Sequence, residues 1–136
     1  MRELLKESRL ICNENCQAIA HESDSLQVCH DAAYNLLSRD PKIDALFVHS
    51  TEFIAPVIAA ARKLGRSVGQ DLALATRDDP PFAAWIEGGV TVVREPIPRV
   101  AEALAAQVVS VLSGAGTLPS KKFDAELVIR DSTRPQ

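Results

Sequence analysis

The sequence predicts an α/β protein whose parallel sheet is flanked by helices on both faces. Three observations carry that prediction. Short, nearly continuous apolar runs recur at Ile43 to His49, Leu72 to Thr76 and Val90 to Arg94, and runs of this length suit strands buried in a parallel sheet. Between and after them lie stretches with helical spacing, bounded by helix-start and helix-stop residues. The chain is also large enough: 136 residues, 46% of them hydrophobic, describe one globular domain with a real core.

Leu4 and Leu5 in a charged setting suggest an opening helix from Arg2 to Arg9, followed by an irregular stretch around Asn13 and a strand from Cys16 to His21. Glu22 to Ser25 offers several N-cap oxygens, and Leu26, Cys29, Ala33, Leu36 and Leu37 then follow helical spacing until Asp40-Pro41 stops them. The run Ile43 to His49 reads as a strand buried on both faces. Ser50-Thr51-Glu52 should cap the next helix, which ends at Leu64 before Gly65. Pro56 lacks an amide hydrogen, so it implies a kink or a late start. Leu72 to Thr76 is the next strand, Phe82 to Ile86 a helical turn, and Val90 to Arg94 a further strand. An amphipathic helix spans Pro98 to Ser113, and the alternation in Phe123 to Arg130 predicts a final, partly exposed strand.

Composition excludes several function classes. Fifteen basic against eighteen acidic residues leave a formal charge of −3, whereas a surface that binds nucleic acid carries a basic excess. The longest apolar stretch, Phe53 to Ala61, is far short of the roughly 20 residues of a membrane span. Cys12, Cys16 and Cys29 are too few for a disulfide framework, and with His21 and His30 they lack the paired spacing of a zinc site. They read as small hydrophobes in a reducing cytoplasm, with no metal and no cofactor implied.

In parallel sheets, ligands bind at the carboxyl ends of the strands. Those ends here are His21-Glu22, His49-Ser50-Thr51, Arg77-Asp78-Asp79 and Arg94-Glu95. A phosphoacceptor site is disfavoured because the late strand ends in Glu95 where a cation is required. A triad of Ser50, His49 and Asp78 is disfavoured because adjacent strand residues point to opposite faces, and no G-x-S-x-G elbow occurs. Phosphate-loop glycine patterns are missing as well. What remains is binding of a small polar ligand without catalysis, with Asp78 accepting hydrogen bonds from hydroxyls and Ser50 and Thr51 donating or accepting. Trp85 is either an apolar wall for that ligand or a core or subunit contact, and Asp79 is equally an N-cap for the Phe82 turn.

The order of segments resembles the LacI-type (lactose-repressor family) transcription regulators. Asp44 to Val48 followed by His49-Ser50-Thr51 is similar to the family's strand and "AND" turn. Leu64 to Asp71 resembles its "LG..VP.D" segment, Leu72 to Asp79 its "ISVVGFDD" strand, and Val90 to Pro96 its "LTTVRQP" strand. Glu126 to Pro135 resembles its "ELVVRESTAPP" tail.

The resemblance implies one subdomain of a type I periplasmic-binding-protein-like fold, with the helix-turn-helix, the hinge and most of the N-terminal subdomain lying outside this chain. On that pattern residues 1–95 are the C-terminal subdomain of the effector-binding core. Residues 96–120 are a crossover helix and loop that pack on the N-terminal subdomain, and 121–136 a returning strand and tail. The implied function is effector sensing in the cytoplasm, by a homodimer that meets DNA only through its N-terminal domain and does not engage a membrane. The alternatives are a periplasmic sugar-binding protein of the same fold and a small flavodoxin-like enzyme. The ligand positions map onto Ser50, Thr51, Asp78 and Glu95, with Trp85 beside them. The dimer contacts map onto Ile54, Ala55, Ile58 and the Trp85-Ile86 turn. Two departures separate this chain from the family's usual sugar site: "AND" has become His-Ser-Thr, and the glycine and aromatic before Asp78 have become Thr76 and Arg77.

Overall fold

A computed structural model describes residues 25–134. The predicted helix at Arg2 to Arg9 and the strand at Cys16 to His21 lie outside the described residues. The first described element is helix α1 (Leu26–Arg39), where Ser25 is the N-cap and its Oγ accepts a hydrogen bond from Val28 N–H at 3.3 Å. Strand β1 (Ala45–Val48) leads through a 3-10 turn (Thr51–Phe53) into α2 (Ile54–Lys63). Pro56 produces the late start: it occupies the first α-helical turn, where its missing N–H has no ladder partner to lose. The cap forms differently from expectation, because the Ser50 hydroxyl donates to Glu52 Oε1 at 3.2 Å and makes no side-chain cap bond. Strand β2 (Ala73–Arg77), a 3-10 turn (Pro81–Ala84), β3 (Thr91–Arg94), α3 (Ile97–Leu112) and β4 (Glu126–Val128) complete the order.

The four strands form one sheet in the order β1-β2-β3-β4. β1, β2 and β3 run parallel, in register from Val48 to Thr76 to Val92. β4 is antiparallel to β3, an edge addition common on otherwise parallel sheets. The apolar runs by themselves carry no information about strand direction.

Because side chains alternate along a strand, the residues in register share a face. Val48, Leu74, Thr76, Val90 and Val92 are buried on one face. Their apolar members form one core with Ala33 and Leu37 of α1 and Ile54, Val57, Ile58 and Ala61 of α2. Burying a leucine or valine there contributes about 1.5–3 kcal/mol each. The opposite face is open at its edges among the described residues, with Phe47 54% and Leu127 61% exposed. β1 is therefore not buried on both faces; its burial alternates as its backbone pleat dictates.

The tail is fastened at the foot of the sheet. Ser132 is fully buried, its Oγ accepting from Thr91 N–H at 2.8 Å and donating to Leu74 C=O at 2.6 Å. Gly69 approaches the same tail with φ +84°, and a Cβ there would sit 2.8 Å from the Asp131 carbonyl oxygen. Only glycine satisfies both conditions. Cys29 is buried on α1. Among the described residues no helix is long and apolar enough to cross a membrane.

Candidate functional site

The carboxyl ends of β1, β2 and β3 open into two adjoining depressions. The larger is a cleft of about 380 Å³ formed by Thr51, Arg77, Asp78, Asp79, Arg94, Glu95 and neighbouring Pro80 and Ile97. The smaller, a recess of about 190 Å³, is formed by His49, Ser50, Thr51, Arg77 and Asp78. The cleft falls within the size range of small-ligand sites. Its position follows from topology: parallel strands present all their exit loops on one edge, so residues far apart in sequence converge there.

Asp78 is the most unusual residue of this edge. Its φ of +64° lies in the left-handed region, which costs a non-glycine residue energy, although aspartate tolerates it better than most. Its amide donates to the Val93 carbonyl at 3.0 Å, anchoring the loop to β3. Its Oδ1 is buried and lacks a hydrogen-bond partner among the described residues. A buried acceptor left unsatisfied costs about 1–3 kcal/mol. Strain and an unpartnered buried acceptor thus coincide at one residue that lines the cleft.

The cationic groups around Asp78 are occupied. Arg77 Nε donates to Glu95 Oε1 at 2.7 Å, and Nη1 donates to His49 Nε2 at 3.4 Å. The bond to Glu95 raises the Arg77 pKa above its ordinary value. Arg94 donates to Asp79 Oδ2 through Nε at 3.0 Å and to Glu126 Oε2 at 3.0 Å, and the Asp79 bond raises its pKa likewise. Arg130 reaches up from the tail, its Nη2 lying 2.8 Å from Asp79 Oδ1 and 2.9 Å from Oδ2. Burial pushes the Asp79 carboxyl upward, yet the bonds from Arg94 and Arg130 outweigh it and hold the pKa below the usual carboxylate value. Asp79 therefore ties the loop after β2 to β3 and the tail. It does not cap the following turn, whose N-cap is Pro80 without a side-chain bond.

Of the sequence-derived ligand residues, Ser50, Thr51, Asp78 and Glu95 meet at this edge, Glu95 with one oxygen already held by Arg77. Trp85 does not join them. It is 86% exposed, outside the residues that form the cleft and the recess. The chain must return from the carboxyl end of β2 to the start of β3, and Trp85 sits on that return, just after Ala83, whose carbonyl accepts from Val90 N–H at 2.7 Å. Proximity in sequence to Asp78 misplaced it.

The expected subunit contacts also divide. Ile54 is fully buried and Ile58 4% exposed in the chain's own core, so neither is available to a second copy. Ala55 is exposed on the opposite side of α2, and Ile86 packs half-buried against the core. The helical period explains the split, because positions 54, 57, 58 and 61 share the face that the sheet covers.

Among residues that sequence reasoning did not select, Arg77 and His49 carried a signal, since both stand at strand ends. Ile97 carried none; it lines the cleft only because α3 begins immediately beyond β3.

The geometry has counterparts in known proteins. A family model for a periplasmic binding protein-like domain matches residues 2–133. The HTH-type transcriptional regulator MalR of Streptomyces coelicolor is 30% identical over 118 residues, covering 86% of this chain and 34% of MalR. The structure of the transcriptional regulator CelR in complex with cellobiose superposes with a TM-score of 0.81 at 26% identity, covering 96% of this chain and 40% of that one. A LacI family regulator from Arthrobacter sp. FB24, solved with lactose, gives a TM-score of 0.80 at 24% identity over 98% of this chain and 49% of that one. The chain thus spans about a third of the length of the curated relative it matches.

Proposed function

The chain belongs to the periplasmic binding protein-like family, in the form found in LacI-type transcription regulators, and from that premise we propose that it senses a small polar effector for such a regulator. The relatives matched are regulators, not enzymes. The proposed effector is sugar-like, bound against Asp78 with Thr51 and Ser50 beside it. CelR and the Arthrobacter regulator were solved with cellobiose and lactose, which supports the saccharide class. A hydroxyl suits this site because it can donate to the Asp78 carboxylate and accept from a threonine hydroxyl at once.

The switch is a population shift: the effector favours one arrangement of the effector-binding core, and that bias reaches DNA-binding segments carried elsewhere in a longer protein. The protein works in the cytoplasm as a homodimer. Support for a second copy comes from Trp85 and Phe82, 86% and 45% exposed on one turn, with Ala55 exposed on α2. Large apolar side chains grouped in solvent mark interaction surfaces.

One observation carries the ligand reading: the buried, unpartnered Oδ1 of Asp78 in a left-handed loop at the cleft. Thermal-shift and calorimetric titration of the protein with cellobiose, lactose, glucose and galactose tests it. Asp78→Ala should weaken whichever sugar binds by about 10- to 100-fold, the loss expected for a hydrogen bond to a charged acceptor. Unchanged affinity in that variant would remove Asp78 from the site.

A further inference from the structure

Arg77, Asp78 and Thr51 border both the cleft and the recess. Of the three, only Arg77 is tethered at two points on either side of its own strand. Its Nε bond to Glu95 reaches past the end of β3, and its Nη1 bond to His49 reaches past the end of β1. Since β2 lies between β1 and β3, the guanidinium lies across three strand ends. Its side chain keeps 40% of its surface exposed, so it meets solvent as well as its tethers. A planar guanidinium held through two of its nitrogens is a stiff element, unlike a lysine chain with a point charge.

Resting on the saccharide reading above, we propose that Arg77 is a specificity-determining residue: a tethered bar that separates the cleft from the recess. A single sugar ring then seats against Asp78 on the cleft side, and a two-ring sugar is blocked from extending into the recess. Glu95 is the positioning residue of this device, acting through Arg77 and not through the ligand. On this reading the recess, at about 190 Å³ beside a cleft of about 380 Å³, is the volume that a second ring gains when the bar is removed.

Calorimetric titration of the protein with glucose and cellobiose, and with galactose and lactose, reads the ratio of two-ring to one-ring affinity. In the wild type the single ring binds at least as tightly as its two-ring counterpart. Arg77→Ala shifts the ratio toward the two-ring sugar by about tenfold, the scale on which one filled or emptied pocket segment discriminates. Arg77→Lys shifts it similarly, because an ammonium cannot hold both tethers, and Glu95→Gln shifts it less in the same direction. A ratio is insensitive to partial loss of folded protein, since both sugars meet the same folded fraction. Trp85→Ala leaves it unchanged. The bar is overturned if Arg77→Ala keeps the wild-type ratio or moves it toward the single ring, or if Arg77→Lys keeps it, which would reduce Arg77 to a charge. If sugars bind and Asp78→Ala weakens them while the Arg77 ratio stays put, only the bar fails. If none of the four sugars binds the wild type, the saccharide reading fails and the bar with it.

Discussion

Two helices of this chain are comparably apolar in sequence and meet opposite fates. On α2, Ile54, Val57, Ile58, Ala60 and Ala61 are buried between the sheet and α1. On α3, which is longer, none of the described residues is buried: Leu104 is 62%, Val108 55% and Leu112 82% exposed. An apolar stripe states that a helix has a face to cover. It does not state what covers that face. The difference teaches that amphipathicity is a demand, and that only the arrangement of neighbours shows whether the demand is met within the chain.

Paired truncations test the comparison most strongly. Leu74→Ala, in the core beneath α2, should cost about 2–5 kcal/mol in denaturant unfolding, since it opens a cavity among fully buried neighbours. Leu104→Ala on α3 should stay within about 0.5 kcal/mol, as exposed substitutions do. A large loss at Leu104 would show that α3 is covered in solution, and the contrast would collapse.

Removing the fastening of the packed region should come next in size. Ser132→Ala leaves Thr91 N–H and Leu74 C=O unpaired in a dry site, costing about 1–3 kcal/mol. A loss this large from one hydroxyl, with the cleft residues untouched, would separate the stability of the sheet from the chemistry of its edge.

A smaller loss than at Ser132 is expected at Asp79, and it depends on pH. Its folded pKa is depressed below the ordinary 3.8, so its contribution is fully present above that value. It is lost as pH falls through the lower folded pKa. Asp79→Asn should therefore lower stability by about 1 kcal/mol at neutral pH, because Arg94 and Arg130 lose a charged acceptor on a partly exposed site. The gap between the wild type and Asp79→Asn should begin to close as pH falls below about 3.8 and vanish only below the lowered folded pKa, where both carry a neutral side chain. A gap that persists undiminished at pH 3 would exclude the ion pairs as its cause.

Much of the fold was legible in the residues. Ser25 capped α1 and Asp40-Pro41 stopped it where the residue types required, and Pro56 delayed α2 to where a missing amide hydrogen does no harm. The strand ends announced the site, because exit loops of parallel strands share an edge whatever their sequences. Four of the five residues expected at the ligand meet there. Trp85 lies apart from them, because nearness in sequence to Asp78 ignores the return path of a parallel crossover. Ile54 and Ile58 face inward because the helical period places them against the chain's own sheet.

The sequence by itself determined the elements, their order, and the polar residues that stand at the strand ends, since caps, breakers and periodicity are local properties of the backbone. It could not decide the antiparallel direction of β4, the bare apolar face of α3, or the linkage of Asp79 to Arg94 and Arg130 across 15 and 51 residues. Nor could it decide that a carboxylate oxygen of Asp78 is buried without a partner, while the adjacent Asp79 is held by two arginines. Two neighbouring aspartates are chemically identical in the unfolded chain. What distinguishes them is which guanidiniums the fold brings within about 3 Å, a distance set by packing and not by spacing along the chain.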